Sequence, residues 1–354
     1  MVTRMVLLTI SYSFACEAAE PPAMAAIGPD PNANAIVELA WSKADDIIAL
    51  ATDTRASEIY AVRRDRQLQR LARDGKVIAS VELTLPAKDG ADTLRLANLT
   101  GDESPELITF GHWGVDVRAF ERNGRQLWHY AVPQGVNDVW VADVNMVEDG
   151  RDEIIIGCNG KGGIHVLNSN STLLWNQVIG NHWSATSCRD AFGQSFVLSS
   201  SVRGVVQIYD SHGKEVDVMK IGRGPTLVRT CTLVPGGVVH VIAANPIDRL
   251  ITAVDLSGKP LWTSPLAFRT KAHIRDGVLA PDEPWLAVTA LGESVSIVNL
   301  KNGKHVATVP GDENPSVGWL APLDGSPRML VVGGVRSLRA YSIQAAQVPI
   351  APSR

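Results

Sequence analysis

The chain has 354 residues, 45% of them hydrophobic and 20% charged, with a formal net charge of −4. That balance is enough for a large core and excludes a disordered chain. It also offers no overall basic field of the kind that nucleic acid or an anionic membrane surface selects. Any charged partner must be recognised locally.

The N-terminus, "MVTRMVLLTISYSFACEAAEPPAMAA", sets one Arg before an apolar run, Met5 to Ala15, and then small residues. This is the order of a secretory signal peptide, and the run is too short to span a bilayer. Cleavage is expected between Ala15 and Ala25, leaving a linker over 26–34 and a secreted or periplasmic mature chain. Cys16 stands where a bacterial lipoprotein carries its lipid anchor, but no Leu lies three residues before it, so plain secretion is the preferred reading. Cys158, Cys188 and Cys231 have no metal-ligand spacing and lie in or beside apolar runs, which reads as buried thiols.

From Ala35 onward short runs of Val, Ile, Leu and aromatics alternate with Gly, Asn, Asp and Pro, a strand pattern. The segments "RDGKVIASV", "RNGRQLWHY", "NSNSTLLWNQ", "SHGKEVDVM", "LSGKPLWTS" and "KNGKHVATV" each set a tight polar turn between two strands. Their turn positions, Gly75, Gly124, Ser171, Gly213, Gly258 and Gly303, are 49, 47, 42, 45 and 45 residues apart. That is the period of a propeller blade. The second period divides into four strands, "TLRLANL", "ELITFGH", "VDVRAFE" and "QLWHYAV", and the third does likewise. The last period has only "VGWLAPL", "RMLVVGG" and "SLRAYSI", whereas "AIVELAWS" (Ala35 to Ser42) is a spare strand before the first. The sequence therefore predicts an all-β, seven-bladed β-propeller over residues 35–350, with the N-terminal strand completing the last blade, because an open ring would leave sheet edges unpaired.

Two stretches, "ADVNMVEDGRDEIIIG" and "ANLTGDESPELITFG", resemble FG-GAP or VCBS repeats, in which an acidic loop precedes a strand. The turns "NGRQLW" and "SGKPLW" resemble the quinoprotein-like (PQQ-type) repeat. The resemblance implies a propeller, and it implies that some acidic loops bind calcium through oxygen ligands between the first two strands of a blade. Asn98, Thr100, Asp102 and Glu106 have the ligand spacing of such a loop. Asp143 and Asn145 begin a second, which a two-residue insertion separates from Asp149 and Glu153. Calcium needs six to eight oxygen ligands. The competing and preferred reading is that these residues cap turns through their own backbone amides. No organic cofactor is expected, and Ca2+ is the candidate ion.

No Ser-His-Asp order with a nucleophile elbow, no HExxH, no CxxC and no phosphate-cradling loop occurs. The leading expectation is a non-catalytic protein that binds a protein or acidic glycan. The alternative is a propeller enzyme, either a polysaccharide lyase or hydrolase or a quinone-dependent dehydrogenase. In a propeller the loops between second and third strands and between blades share one face. That assignment collects Arg63, Arg64, Arg66, His112, Trp113, Lys161, His182, Trp183, Arg203, Arg223, Arg249, Arg269, Lys271, His273 and Arg336 on one face, most of them as candidate ligand contacts. The acidic loops fall on the other, so charge is expected to segregate by face.

Overall fold

The computed structural model describes residues 35–86, 91–102, 104–132, 134–144, 149–234, 236–268, 273–281, 283–323 and 325–345. Among them every regular element is a strand, and the strands form seven four-stranded antiparallel sheets arranged as the blades of a propeller. The first, innermost strands run Ile47–Asp53, Thr93–Ala97, Val136–Ala142, His182–Arg189, Leu227–Thr232, Ile274–Leu279 and Ser316–Leu320. Within a blade each strand pairs with the next in sequence, so hairpins carry the chain outward before it crosses to the next blade.

Blade seven is the exception that closes the ring. Its fourth strand is Ala35–Ala44, paired antiparallel with Ser337–Ala345, and the pairing runs from Ala35 opposite Ala345 to Ala44 opposite Ser337. A bulge at Leu39/Trp41 adds one residue to the N-terminal strand. The predicted closure is thus the observed one. The leader and linker, residues 1–34, lie outside the described residues, as do Gln347 to Ile350.

Burial explains why the sequence pattern differs from strand to strand. Second strands such as Glu106–Phe110, Glu153–Cys158 and Trp285–Ala290 are covered on both faces and read as continuous apolar runs. Fourth strands lie at the rim, and Val77–Glu82 is exposed over most of its length. Seven apolar clusters fill the interfaces between neighbouring blades, including the one where Ile47, Leu50 and Ile59 of blade one meet Leu320, Val331 and Leu338 of blade seven. The interface at the join is as apolar as the rest.

The repeated Trp has a structural use. Trp41, Trp128, Trp175 and Trp262, all on fourth strands, donate their indole N–H to Arg73 O, Ser169 O, Ser211 O and Leu300 O at 2.8–3.0 Å, in each case in the third-to-fourth-strand turn of the next blade. For Trp41, Trp175 and Trp262 the ring then lies against the turn's glycine, whereas the turn met by Trp128 carries Ser171 in that place, with φ of 68°. A Cβ on Gly213 would sit 2.5 Å from Trp175, and one on Gly303 would sit 2.5 Å from Trp262. The turn glycines are therefore needed both for their positive φ and for this close approach. Trp41 makes the same contact from the N-terminal strand to blade one, so the closing strand docks as an ordinary fourth strand.

Candidate functional site

The first strands enter the ring from the predicted loop face and line its axis. Their third residues, Ala49, Arg95, Asp138, Ser184, Arg229, Asp276 and Gly318, occupy equivalent strand positions. Four of them form a closed ring of ion pairs across the axis. Arg229 binds Asp138 at 3.0 Å and Asp276 at 2.7 Å, and Arg95 binds Asp276 at 2.7 Å and approaches Asp138 at 3.5 Å. Arg229 is fully buried and also donates to Ser184 Oγ and Gly277 O, with its guanidinium 4.9 Å from the Trp140 ring centre. Burial alone would raise the Asp276 carboxyl, but Arg95 and Arg229 together hold it well below the usual carboxylate range. Opposite charges balance within the ring, so it closes the axis with a neutral polar floor.

A second layer rests on this floor, one residue nearer the loop face. In blades three, four and six the second residue of the first strand, Asn137, Trp183 or Arg275, is the extra residue of a β-bulge. A bulge re-aims one side chain out of the strand's alternation. Arg275 pairs with Asp92 at 2.8 Å, and Asp92 Oδ1 accepts the backbone N–H of His112 at 2.9 Å. His112 Nδ1 is 3.0 Å from Asn137 O, which makes Nδ1 the protonated nitrogen, and Asn137 Nδ2 donates to Asn181 Oδ1 and His182 O. One polar chain thus ties blade six to blades two, three and four.

Four aromatic rings converge above it. His112 lies 4.9 Å from Trp113 and 5.3 Å from His273, and Trp183 lies 6.4 Å from His273, centre to centre. Trp113 is 60% exposed and has φ of 64°, a costly conformation for a bulky residue. Burial, then the charge of Arg275, lowers the His112 pKa, and burial followed by His112 and Arg275 pushes His273 down to about 4. Both imidazoles are neutral at neutral pH. His112 Nε2 and Asn137 Oδ1 are buried without a hydrogen-bond partner.

The structure sorts the residues predicted for this face. His182 does not lie on the surface beside Trp183. It is fully buried, with Nε2 3.1 Å from Ile179 O and Nδ1 2.8 Å from Ser199 Oγ, and it serves as a core residue of blade four. Arg63 faces Asp45 and Asp65, and Arg336 pairs with Glu313 at 3.0 Å. Arg249 has φ of 54° and donates to Phe268 O. Charge segregation by face is therefore incomplete, because acidic residues on the same side accompany several of these arginines. Arg203 and Arg223 are exposed and make no hydrogen bond or ion pair among the described residues. They belong to blade four and its exit loop, where Gly204 and Gly224 approach closely. Arg269 and Lys271 lie outside the described residues.

On the opposite face the acidic loops fold on themselves. Glu106 accepts the amides of Leu99 and Thr100 and the Thr100 hydroxyl, Asn98 Oδ1 accepts Gly101 N–H, and Asp102 accepts Ser104 N–H. In the next blade Glu153 accepts Val144 N–H, Asp149 accepts Arg151 N–H, and Asp143 pairs with Arg189 at 3.2 Å. Asn145 lies outside the described residues. No three His, Cys, Asp or Glu side chains among the described residues converge as a metal-ligating group. Burial pushes the thiols of Cys158 and Cys188 up to about 12 and that of Cys231 up to about 11, and none is in a disulfide.

No family model and no curated protein matches this chain. The architecture is that of a seven-bladed propeller, and its likeness to FG-GAP, VCBS and quinoprotein-like repeats stands on the quoted motifs alone. The axial ring of Arg95, Asp138, Arg229 and Asp276 escaped the sequence reading. Its signal was a polar residue at the same place in five of seven otherwise apolar first strands.

Proposed function

We propose that the protein is an exported, non-catalytic binding propeller that takes an acidic glycan into the basin formed by His112, Trp113, Trp183 and His273. The observation that carries this reading is the convergence of those four rings, from blades two, four and six, over a closed and charge-balanced floor. Indole faces suit sugar rings. At the blade that carries Trp183, the unpaired guanidinium groups of Arg203 and Arg223 suit a carboxylate or sulfate. With the axis closed, the basin is blind, which fits retention of one end or branch of a chain.

An array of acidic and neutral glycans, probed with the mature protein and with Trp183→Ala, tests the reading. Acidic glycans should bind the wild type and lose at least tenfold in affinity with the variant. Equal signals from both proteins, or selective capture of an acidic peptide in a parallel panel, would overturn it. Export is tested separately by N-terminal sequencing of material from the envelope or medium of the host, which should begin between residues 16 and 26.

A further inference from the structure

Two imidazoles meet at the base of the basin without a hydrogen bond between them. His112 lies in the second-to-third-strand loop of blade two and His273 immediately before the first strand of blade six, so only the closed ring brings them together. Their centres are 5.3 Å apart and their planes are inclined by 49°. With metal–nitrogen bonds of about 2.0–2.1 Å and each ring centre roughly 1.2 Å beyond its nitrogen, two imidazoles on one tetrahedral ion stand about 5 Å apart. The observed separation is that of a pair of ligands.

The nitrogens are left open for this use. His112 Nδ1 donates to Asn137 O at 3.0 Å, which places the lone pair on Nε2, and Nε2 is buried with no partner. A carbonyl on the far nitrogen is what fixes the tautomer of a ligating His. The His273 side chain makes no hydrogen bond among the described residues. A second unpartnered atom belongs to the residue that holds His112. Asn137 is 5% exposed, its Nδ2 donates to Asn181 Oδ1 and His182 O at 2.7 and 2.9 Å, and its Oδ1 has no partner. Because His182 O can only accept, the amide cannot be turned round to satisfy that oxygen. Buried polar atoms left without partners at one place mark a site for a water or an ion.

We infer that His112 Nε2 and His273 bind a divalent transition ion of the zinc type, and that water on this ion donates to Asn137 Oδ1. Imidazole suits Zn2+, Ni2+ and Cu2+, whereas Ca2+ and Mg2+ select oxygen ligands. Arg275 stands beside the pair, but Asp92 balances its charge at 2.8 Å, and the axial ring beneath is neutral. No net positive charge therefore opposes the ion. Nε2 is closed to solvent, so the ion enters as the His273 ring, which no hydrogen bond holds, turns aside. The site needs no glycan and does not depend on the glycan reading.

Calorimetric titration of the untagged, chelator-treated mature chain with zinc chloride and, in parallel, calcium chloride tests the inference with no glycan present. One equivalent of zinc should bind saturably and calcium should not. With one equivalent of copper(II), electron paramagnetic resonance should show coupling to two nitrogens. His273→Gln should weaken zinc binding at least tenfold and remove one nitrogen from the copper spectrum, and since this ring makes no hydrogen bond the variant remains a test even where His112→Gln folds poorly. His112→Gln should otherwise do the same. His129→Gln/His212→Gln, at two exposed positions on the outer hairpins of blades two and four, should change neither readout. The inference is overturned by no saturable zinc binding, by zinc binding that His273→Gln leaves unchanged, by loss of binding in the outer-hairpin variant, or by calcium binding as tightly as zinc. Zinc binding without glycan binding upholds this site and sinks the glycan reading, and the converse removes this site alone.

Discussion

At the scale of single residues, the axis shows how charge can be placed inside a propeller. Arg229 has no exposure at all, and it is tolerated because two carboxylates, a hydroxyl and three carbonyls surround its guanidinium. Removing one partner from such a set leaves the others uncompensated. Asp276→Asn is expected to cost about 3–5 kcal/mol, the range for breaking a buried pair, read as a lowered urea midpoint at pH 7. The pH dependence follows in sign. The Asp276 carboxyl is held low in the folded state, so its contribution is complete above the unfolded carboxylate value, about 3.9, and is lost as pH falls through the folded one. The stability gap between wild type and Asp276→Asn should therefore narrow below about pH 4. A gap constant from pH 7 to pH 2 would mean that Asp276 does not hold the ring. His182 and Trp183 show why neighbouring residues in sequence need not share a site. With Trp183 as the bulge, one ring enters the core of blade four and the other reaches the basin. A bulge leaves no mark in composition, so the sequence brought both rings to the surface.

At the scale of the strand, repetition made the fold legible. Tight turns at regular intervals marked the blades, and the contrast between a spare first strand and a short last period revealed the closure. The Trp in the repeated turns resembled a family motif in sequence, but its physical reason is interlocking between blades. Two expectations follow. Gly213→Ala combines a φ of +80° with a Cβ 2.5 Å from Trp175, so it should destabilise by about 1–3 kcal/mol, whereas Gly236→Ala, with φ of +68° but open space around it, should cost less. Differential scanning calorimetry of both variants separates the strain of φ from the crowding by Trp. A chain beginning at Asp45 lacks the strand that pairs with Ser337–Ala345 and lacks Trp41. It should aggregate or melt well below the mature protein, and Trp41→Ala alone should remove roughly 3 kcal/mol. A truncated chain that melts with the full one would show that the ring closes without this strand.

At the scale of the whole molecule, the loop face is less uniformly basic than its arginine content suggests. Loop charges could be assigned to a face from strand order, but not all their partners, because Asp45 and Glu313 come from other loops that converge only in the folded ring. Pairing removes most of the field of Arg63 and Arg336, since a surface ion pair is worth little and presents little net charge. The exposed cations without an ion pair described on this face include Lys161 of blade three as well as Arg203 and Arg223, the two guanidinium groups at the blade that carries Trp183. Ligand affinity should therefore depend on these two and not on arginine number. Arg203→Ala/Arg223→Ala should weaken binding of an acidic glycan at least tenfold and flatten its salt dependence, because the lost charges were those screened over about 8 Å at physiological ionic strength. Arg63→Ala/Arg336→Ala removes the same formal charge but leaves Asp65 and Glu313 unpaired, while Asp45 keeps Lys43 at 3.0 Å, and it should weaken binding by less than threefold. Both double variants should melt within about 2 °C of the wild type, since surface substitutions of this kind rarely change stability by more than about 0.5 kcal/mol. Affinities at 50 and 300 mM salt for the three proteins decide the matter: equal losses in the two double variants would assign binding to the summed charge of the face, and losses confined to the first place the anionic group of the ligand at blade four.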